Sequence, residues 1–168
     1  MIEVNSTIKL RTVVEEDSDF LITLLNMEEI KNNFPRSVPI TKQSHIQFIE
    51  KLKQSHEYYW IIEKNNIPIG TISIYNINYD HNRAEWGRFV IHPKYCRQGI
   101  GTAVLFAIIN HGFNKLNLHK LYCYSIPTNL IALNLYSKLG FTIEGVLKDH
   151  IYINEKYSDY IILGLVKK

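Results

Sequence analysis

The sequence predicts an α/β (α+β) chain, one mixed sheet with helices on both faces. Three observations predict it. Strand-like runs fill the first half, followed by the order strand, loop, helix, strand, helix, strand, strand. A glycine-bearing loop, Cys96–Thr102, leads from a strand pattern straight into an apolar helical run. The 168 residues, 46% apolar, suffice for one proper core and not two, so 1–168 is expected to be a single domain.

Taken in order, Thr7–Val14 alternates as a first strand, with Ile8, Leu10, Thr12 and Val14 against Lys9 and Arg11. Glu15, Glu16 and Asp17 suit a helix N-terminus, and Phe20, Leu21, Leu24 and Leu25 supply its apolar face. Two prolines then interrupt Asn32–Pro39, which reads either as a lid over a substrate or as a plain connector. Thr41 is placed to cap a helix over Lys42–Gln54, with Ile46, Phe48, Ile49 and Leu52 inward. Tyr58–Glu63 and Ile67–Tyr75 flank Asn65-Asn66, which is hairpin chemistry. Arg83–Ile91 is the fourth strand, followed by the loop and a helix over Ile100–Gly112. His119–Ser125, a short helix Asn129–Leu139 stopped at Gly140, and strands Phe141–Val146 and Tyr160–Val166 complete the chain.

Composition narrows the function classes. A net charge of +3 is too mild and too scattered to imply nucleic-acid binding, although it suits an anionic cofactor or substrate. Cys96 and Cys123 lack partners at metal-ligand spacing, and the seven histidines show no ligand pattern, so no metal is expected. No apolar run approaches membrane-spanning length and no signal-peptide pattern opens the chain, so the expected location is the cytoplasm, without a membrane partner.

The loop at Gly99-Ile100-Gly101 has the features of a phosphate seat, with successive backbone N–H groups and a helix N-terminus. A nucleoside-triphosphate loop requires Lys-Ser/Thr after its last glycine, and Thr102-Ala103 stands there instead. A dinucleotide loop requires a third small residue where Val104 lies.

A third reading comes from resemblance. Cys96-Arg97-Gln98-Gly99-Ile100-Gly101 and Asn129-x-x-Ala132-x-x-Leu135-Tyr136-x-Lys138-x-Gly140-Phe141 together resemble the GCN5-related N-acetyltransferases (GNAT), from Ile8 to Val166. The resemblance implies a mostly antiparallel sheet of six or seven strands, splayed between the fourth and fifth. It also implies acetyl-CoA as donor, attacked directly by a small-molecule amine in a ternary complex, and dimers are common for such domains. The cofactor positions carried over are Phe89, Val90 and Ile91 on the strand; Cys96, Arg97, Gln98, Gly99, Ile100, Gly101 and Thr102 on the loop; and Asn129, Asn134 and Tyr136 beyond it. Cys96 departs from the usual Arg or Gln, and stands either as a small residue that fits or as a thiol activated by the helix N-terminus.

Tyr136 matches the acid that protonates the leaving sulfur, against the alternative that it merely packs. Glu85, on an alternation that groups it with Gly87, Phe89 and Ile91, is the candidate base, against a plain salt bridge with Arg83 or Arg88. Asn129 contacts the cofactor or simply caps its helix. Gly87 is expected to permit a bulge in the strand.

For the acceptor, the passages Ser44–Leu52, Tyr58-Tyr59-Trp60 and Glu144–Lys148 are similar to the nucleotide-amino-sugar acetyltransferases of pseudaminic acid biosynthesis. These imply a UDP-4-amino-4,6-dideoxy sugar, with Asn33, Phe34, Arg36, Tyr75 and Glu85 as its contacts. Ile77–Trp86 and Leu116–Leu121 are similar to spermidine N-acetyltransferases, which implies a polyamine instead. Ribosomal-protein N-terminal acetylation shares the same frame, and a non-catalytic acyl-CoA sensor is the alternative outside enzymes.

Overall fold

The structure, a computed structural model, describes residues 1–34 and 39–168. Among these residues the strands are β1 (Ile2–Glu3), β2 (Ile8–Thr12), β3 (Tyr58–Lys64), β4 (Ile67–Asn78), β5 (Arg83–Ile91), β6 (Lys120–Ser125), β7 (Thr142–Ile153) and β8 (Lys156–Val166). The helices are α1 (Ser18–Leu25), α2 (Glu28–Lys31), α3 (Lys42–Lys53), α4 (Ile100–Asn110) and α5 (Leu130–Lys138). One eight-stranded sheet runs β1-β2-β3-β4-β5-β6-β8-β7, antiparallel except for the β5–β6 pair. None of the described helices is long and apolar enough to cross a membrane.

The sheet holds more strand than the sequence predicts, for local reasons. Ile2–Glu3 adds an edge by pairing with Lys9 and Leu10. Asn154 and Glu155 both take left-handed conformations (φ 51° and 61°), a two-residue turn that brings β7 and β8 together right up to Ile153 and Lys156. Asn65 and Asn66 do the same between β3 and β4. Helix α4 stops at Asn110 and continues as a π-helical turn, His111–Lys115. Within that turn, a Cβ on Gly112 would lie 2.9 Å from a terminal methyl of Leu121, so a side chain there would push the Leu121 side chain aside.

Each face of the sheet carries its own core. Ile100, Val104, Leu105 and Ile108 of α4 pack with Ile62, Ile72, Ile74, Trp86, Leu121 and Leu163 on one face. Leu21, Leu24 and Ile49 of α1 and α3 pack on Tyr59, Ile61 and Val90 on the other. The start of α1 is fixed to the sheet by charge: Arg11 donates two hydrogen bonds to buried Asp17 (2.6 and 2.7 Å) and one to buried Glu63 (2.7 Å). Thr41 caps α3 by accepting from the Ser44 N–H at 3.2 Å. The Asn26 side chain pairs with both backbone groups of Ile40, which ties the entry of α3 to the end of α1.

Strands β5 and β6 pair only from Arg83 to Glu85, opposite Lys120 to Tyr122, and beyond that point they separate. The other edge of β5 carries a bulge: Gly87 opposes Ser73 and Val90 opposes Thr71, so Arg88 and Phe89 share one residue of β4. Arg88, not Gly87, takes the left-handed conformation (φ 48°). Gly87 matters for a different reason: a Cβ there would sit 2.8 Å from the Tyr75 hydroxyl oxygen and push that ring from its place against Glu85. The extra residue also reverses the alternation. Phe89 and Ile91 pack with α4, whereas Arg88 and Val90 turn to the α1–α3 face. Glu85, held by the same Tyr75 that lies under Arg88, belongs to that second face and not, as simple alternation predicts, with Phe89 and Ile91.

Candidate active site

A cavity of about 1050 Å³ runs through the gap between β5 and β6. At one end lies the loop. Its Arg97 and Gly99 are left-handed (φ 60° and 75°), which turns successive N–H groups to one side. The N–H groups of Arg97 through Thr102 have no backbone acceptor among the described residues, and Ala103 is the first to bond back, to the Gly99 carbonyl. These unpaired donors, the positive end of α4, and the cavity-lining cations Arg97 and Lys138 fit a diphosphate. Gly99 has open space around its Cβ direction, so a ligand can approach the backbone there.

The remaining loop positions divide by orientation. Cys96, Gly101 and Thr102 line the cavity. Ile100 is buried in the core, and Val90 is buried on the opposite face, so only their backbone groups can take part. Gln98 turns outward, accepting from Lys64 Nζ at 2.9 Å and donating to the Lys94 carbonyl at 3.2 Å. The Cys96 thiol faces the carbonyls of Ile91 and His92 at 3.7 and 3.8 Å. Burial pushes its pKa up, with Arg97 opposing more weakly, which is the reverse of an activated thiol.

Where β5 and β6 part, Glu85 stands on the α1–α3 face. Its Oε1 accepts from the Tyr75 hydroxyl at 2.7 Å and its Oε2 from the Asn76 amide at 2.9 Å. Neither Arg83 nor Arg88 pairs with it. Arg88 donates to Glu57 at 3.0 Å, and its guanidinium lies over the rings of Tyr75 (4.2 Å), Phe48 (5.0 Å) and Tyr59 (5.8 Å). Burial and the Glu85 charge both push the Tyr75 pKa well up, so Tyr75 remains a donor.

Tyr136 enters the gap from the other face. Asn129 caps α5 by accepting from the Ala132 N–H at 3.2 Å, and Asn129 and Asn134 both line the cavity. Gly140 (φ 92°) ends the helix, with the Phe141 N–H bonded to the Tyr136 carbonyl and the Gly140 N–H to that of Ser137. That turn seats Phe141 beside Trp86, and Trp86 meets the edge of Tyr136 at 4.9 Å. The Tyr136 ring is thus clamped, 8% exposed, with a hydroxyl that has no hydrogen-bond partner among the described residues. Burial pushes its pKa far up, so at neutral pH it is a protonated donor.

Asn33 and Phe34 line the α1–α3 end of the cavity, together with Tyr75 and Glu85, and Arg36 lies outside the described residues. Sequence reasoning passed over Arg88, Tyr124, Tyr160 and His45, which also line it. The bulge expected at Gly87 is present, and its extra residue is what brings Arg88 there. No group of three or more His, Cys, Asp or Glu side chains among the described residues has a metal-holding arrangement.

Comparison with known proteins gives the same picture. The family model described as "Acetyltransferase (GNAT) domain" matches residues 7–142. A spermidine N(1)-acetyltransferase of Escherichia coli K12 is 28% identical over 156 residues, covering 92% of this chain and 83% of its own length. That of Vibrio cholerae is 28% identical over 158 residues, 92% and 90% respectively. The crystal structure of a Vibrio cholerae spermidine N-acetyltransferase in complex with CoA and spermine superposes with a TM-score of 0.89 at 26% identity, covering 96% of both chains. A ribosomal-protein-S5-alanine acetyltransferase of Vibrio fischeri, at 22% identity and TM-score 0.85, shares the fold.

Proposed function

The chain belongs to the acetyltransferase (GNAT) domain family and takes acetyl-CoA as its donor, and from that premise we propose that, as one domain, it acetylates an aliphatic polyamine of the spermidine class. The observation that carries the acceptor is the charge at the parting of β5 and β6. Glu85 is a carboxylate with no cationic partner among the described residues, and Arg88, which lines the same cavity, is neutralised by Glu57. A cationic amine suits that balance. A nucleoside diphosphate needs free cations, and the described residues at that end of the cavity offer none, so the UDP-4-amino sugar loses its support. The two spermidine-enzyme relatives, each alignable over nine-tenths of the chain, support the polyamine reading.

The residues divide the chemistry between the two faces. The loop N–H groups of Arg97–Thr102 hold the pyrophosphate, and the unpaired edge of β5 from Phe89 to Ile91 lies along the pantetheine arm. An alkylammonium with a pKa near 10.4 is neutral for only roughly one molecule in 2,500 at pH 7, so attack requires a base. Glu85 accepts that proton, directly or through water, on the α1–α3 face. From the opposite face, Tyr136 donates to the sulfur as the thioester C–S bond breaks. The amine nitrogen gains the acetyl group and CoA leaves as the thiol. Cys96, Arg97, Asn129 and Asn134 contribute side-chain contacts to the cofactor. Self-association has support from the edge strand β7, whose Ile143 is 61% and Val146 44% exposed.

The test is release of free thiol from acetyl-CoA with a panel of spermidine, spermine, a UDP-4-amino sugar and an alanine-initiated peptide. Turnover with the polyamines above all others is the expected result. Activity confined to the sugar or the peptide would replace the acceptor, and no thiol release with any amine would favour a sensor.

A further inference from the structure

The polyamine proposed above carries charge beyond the nitrogen that reacts, and one wall of the cavity is built to hold such a charge. The wall formed by β4 and β5 is already taken. Arg88 occupies the ring faces of Tyr75, Phe48 and Tyr59, and a second cation there would meet its charge. Across the gap, Tyr124 of β6 and Tyr160 of β8 line the same cavity and stack at 4.9 Å with 20° between their planes. His150 continues the stack beyond Tyr160 at 6.3 Å and 18°. β6 lies between β5 and β8, so Tyr160 stacks on Tyr124 from the β8 side; Tyr122, opposite Glu85, meets Tyr124 at 6.2 Å in a T-shaped contact, and Tyr124 and Glu85 line the same cavity.

Charge points the same way. The Glu85 carboxylate pushes up the pKa of Tyr122, Tyr124 and Tyr160, the last to about 12, on top of the effect of burial. Exposed Arg83 opposes it at Tyr122 and Tyr124 with the smaller effect. Neutral phenol rings beside a carboxylate without a cationic partner among the described residues form a cation seat, and Arg88 over the Tyr75 ring is an example of a cation held on tyrosine in this protein.

We propose that Tyr124, backed by Tyr160, is the specificity-determining seat for the non-reacting ammonium of the acceptor, steering the chain of the polyamine over β6 and β8 and away from Arg88. The proposal rests on the polyamine reading. The ring and not the hydroxyl provides the attraction, so Tyr→Phe preserves it and Tyr→Leu removes it.

The experiment compares wild type, Tyr124→Phe/Tyr160→Phe and Tyr124→Leu/Tyr160→Leu. The readouts are kcat and KM for spermidine, for butylamine and for acetyl-CoA, with spermidine affinity measured by calorimetry on the CoA-bound protein. The expected result is a spermidine KM and Kd raised about tenfold in the leucine variant, within the range for a desolvated cation on an aromatic ring. The phenylalanine variant stays within twofold of wild type, as do the acetyl-CoA KM of both variants and their KM for butylamine, which has no second charge. A spermidine KM unchanged by leucine overturns the seat while leaving the polyamine reading intact. A leucine variant with altered sedimentation and unchanged KM overturns it in favour of a subunit contact. Wild type that neither binds nor acetylates spermidine overturns the reading beneath it, and the seat with it.

Discussion

Replacing Tyr136 with Phe separates the chemical role of this residue from its packing. The ring makes its contacts through its carbon framework, with Trp86 at 4.9 Å and Phe141 at 6.2 Å, and phenylalanine retains both. The hydroxyl bonds to nothing among the described residues, so its removal leaves no buried partner unpaired. Stability should therefore change by no more than about 0.5 kcal/mol, a shift in Tm of roughly 2 °C at this chain length. Loss of a positioned acid, by contrast, costs roughly 10²–10⁴ in rate, or about 3–5 kcal/mol of barrier. Steady-state thiol release, at saturating spermidine and varied acetyl-CoA, should thus give a kcat lowered at least a hundredfold and an unchanged acetyl-CoA KM. A kcat within twofold of wild type, in a variant with wild-type Tm, would remove Tyr136 from the mechanism and leave it a packing residue.

Four other substitutions or conditions test separate parts of the structure. Glu85→Gln should lower kcat at neutral pH by about 10²–10⁴ and recover part of it as pH rises, because the amine then loses its proton unaided; a flat pH–rate profile would contradict this. Gly87→Ala drives a Cβ against the Tyr75 hydroxyl at 2.8 Å and should break its bond to Glu85, lowering kcat roughly 10- to 100-fold with acetyl-CoA affinity intact by calorimetry. Arg11→Met strands buried Asp17 and leaves Glu63 with Lys9 alone, and should cost about 3 kcal/mol in urea unfolding, although Arg11 is remote from the cavity. Burial holds His45 and His111 below their ordinary pKa of 6.5, so the unfolded chain binds more protons than the native one just below that value. Their contribution is complete above about pH 6.5 and lost as pH falls through it, and the drop in Tm between roughly pH 7.5 and 5.5 should be smaller in His45→Gln than in wild type.

Much of this was legible in the sequence because it is local. The Asn65-Asn66 turn, the Thr41 cap and the Gly140 stop each follow from residue type and a few neighbours. The cofactor loop and the Asn129–Phe141 segment were recognisable for the same reason. What could not be read is what depends on register. Gly87 signals a bulge, but residue type does not say where the extra residue falls: it is the left-handed Arg88, and it puts Glu85 on the face opposite Phe89 and Ile91, against simple alternation. The true requirement for Gly87, room for the Tyr75 ring, is a contact between strands. The turn at Asn154-Glu155 is legible as a polar break, but the strands run on to Ile153 and from Lys156, beyond Val146 and Tyr160, because the mostly exposed stretch between carries no apolar alternation. The Tyr124–Tyr160 pair joins two residues 36 positions apart in the chain, and only the sheet order reveals it.

The proposed reaction takes place in the gap between β5 and β6, with base and acid on opposite faces of the sheet. A crystal structure with a bisubstrate analogue, in which an acetyl linker joins the CoA sulfur to a terminal nitrogen of spermidine, tests it most directly. The sulfur should lie within hydrogen-bond distance of the Tyr136 hydroxyl, and the joined nitrogen on the Glu85 side, beside Tyr75. A linker lying outside the gap, or a polyamine arm leaving on the Tyr136 side, would contradict the account.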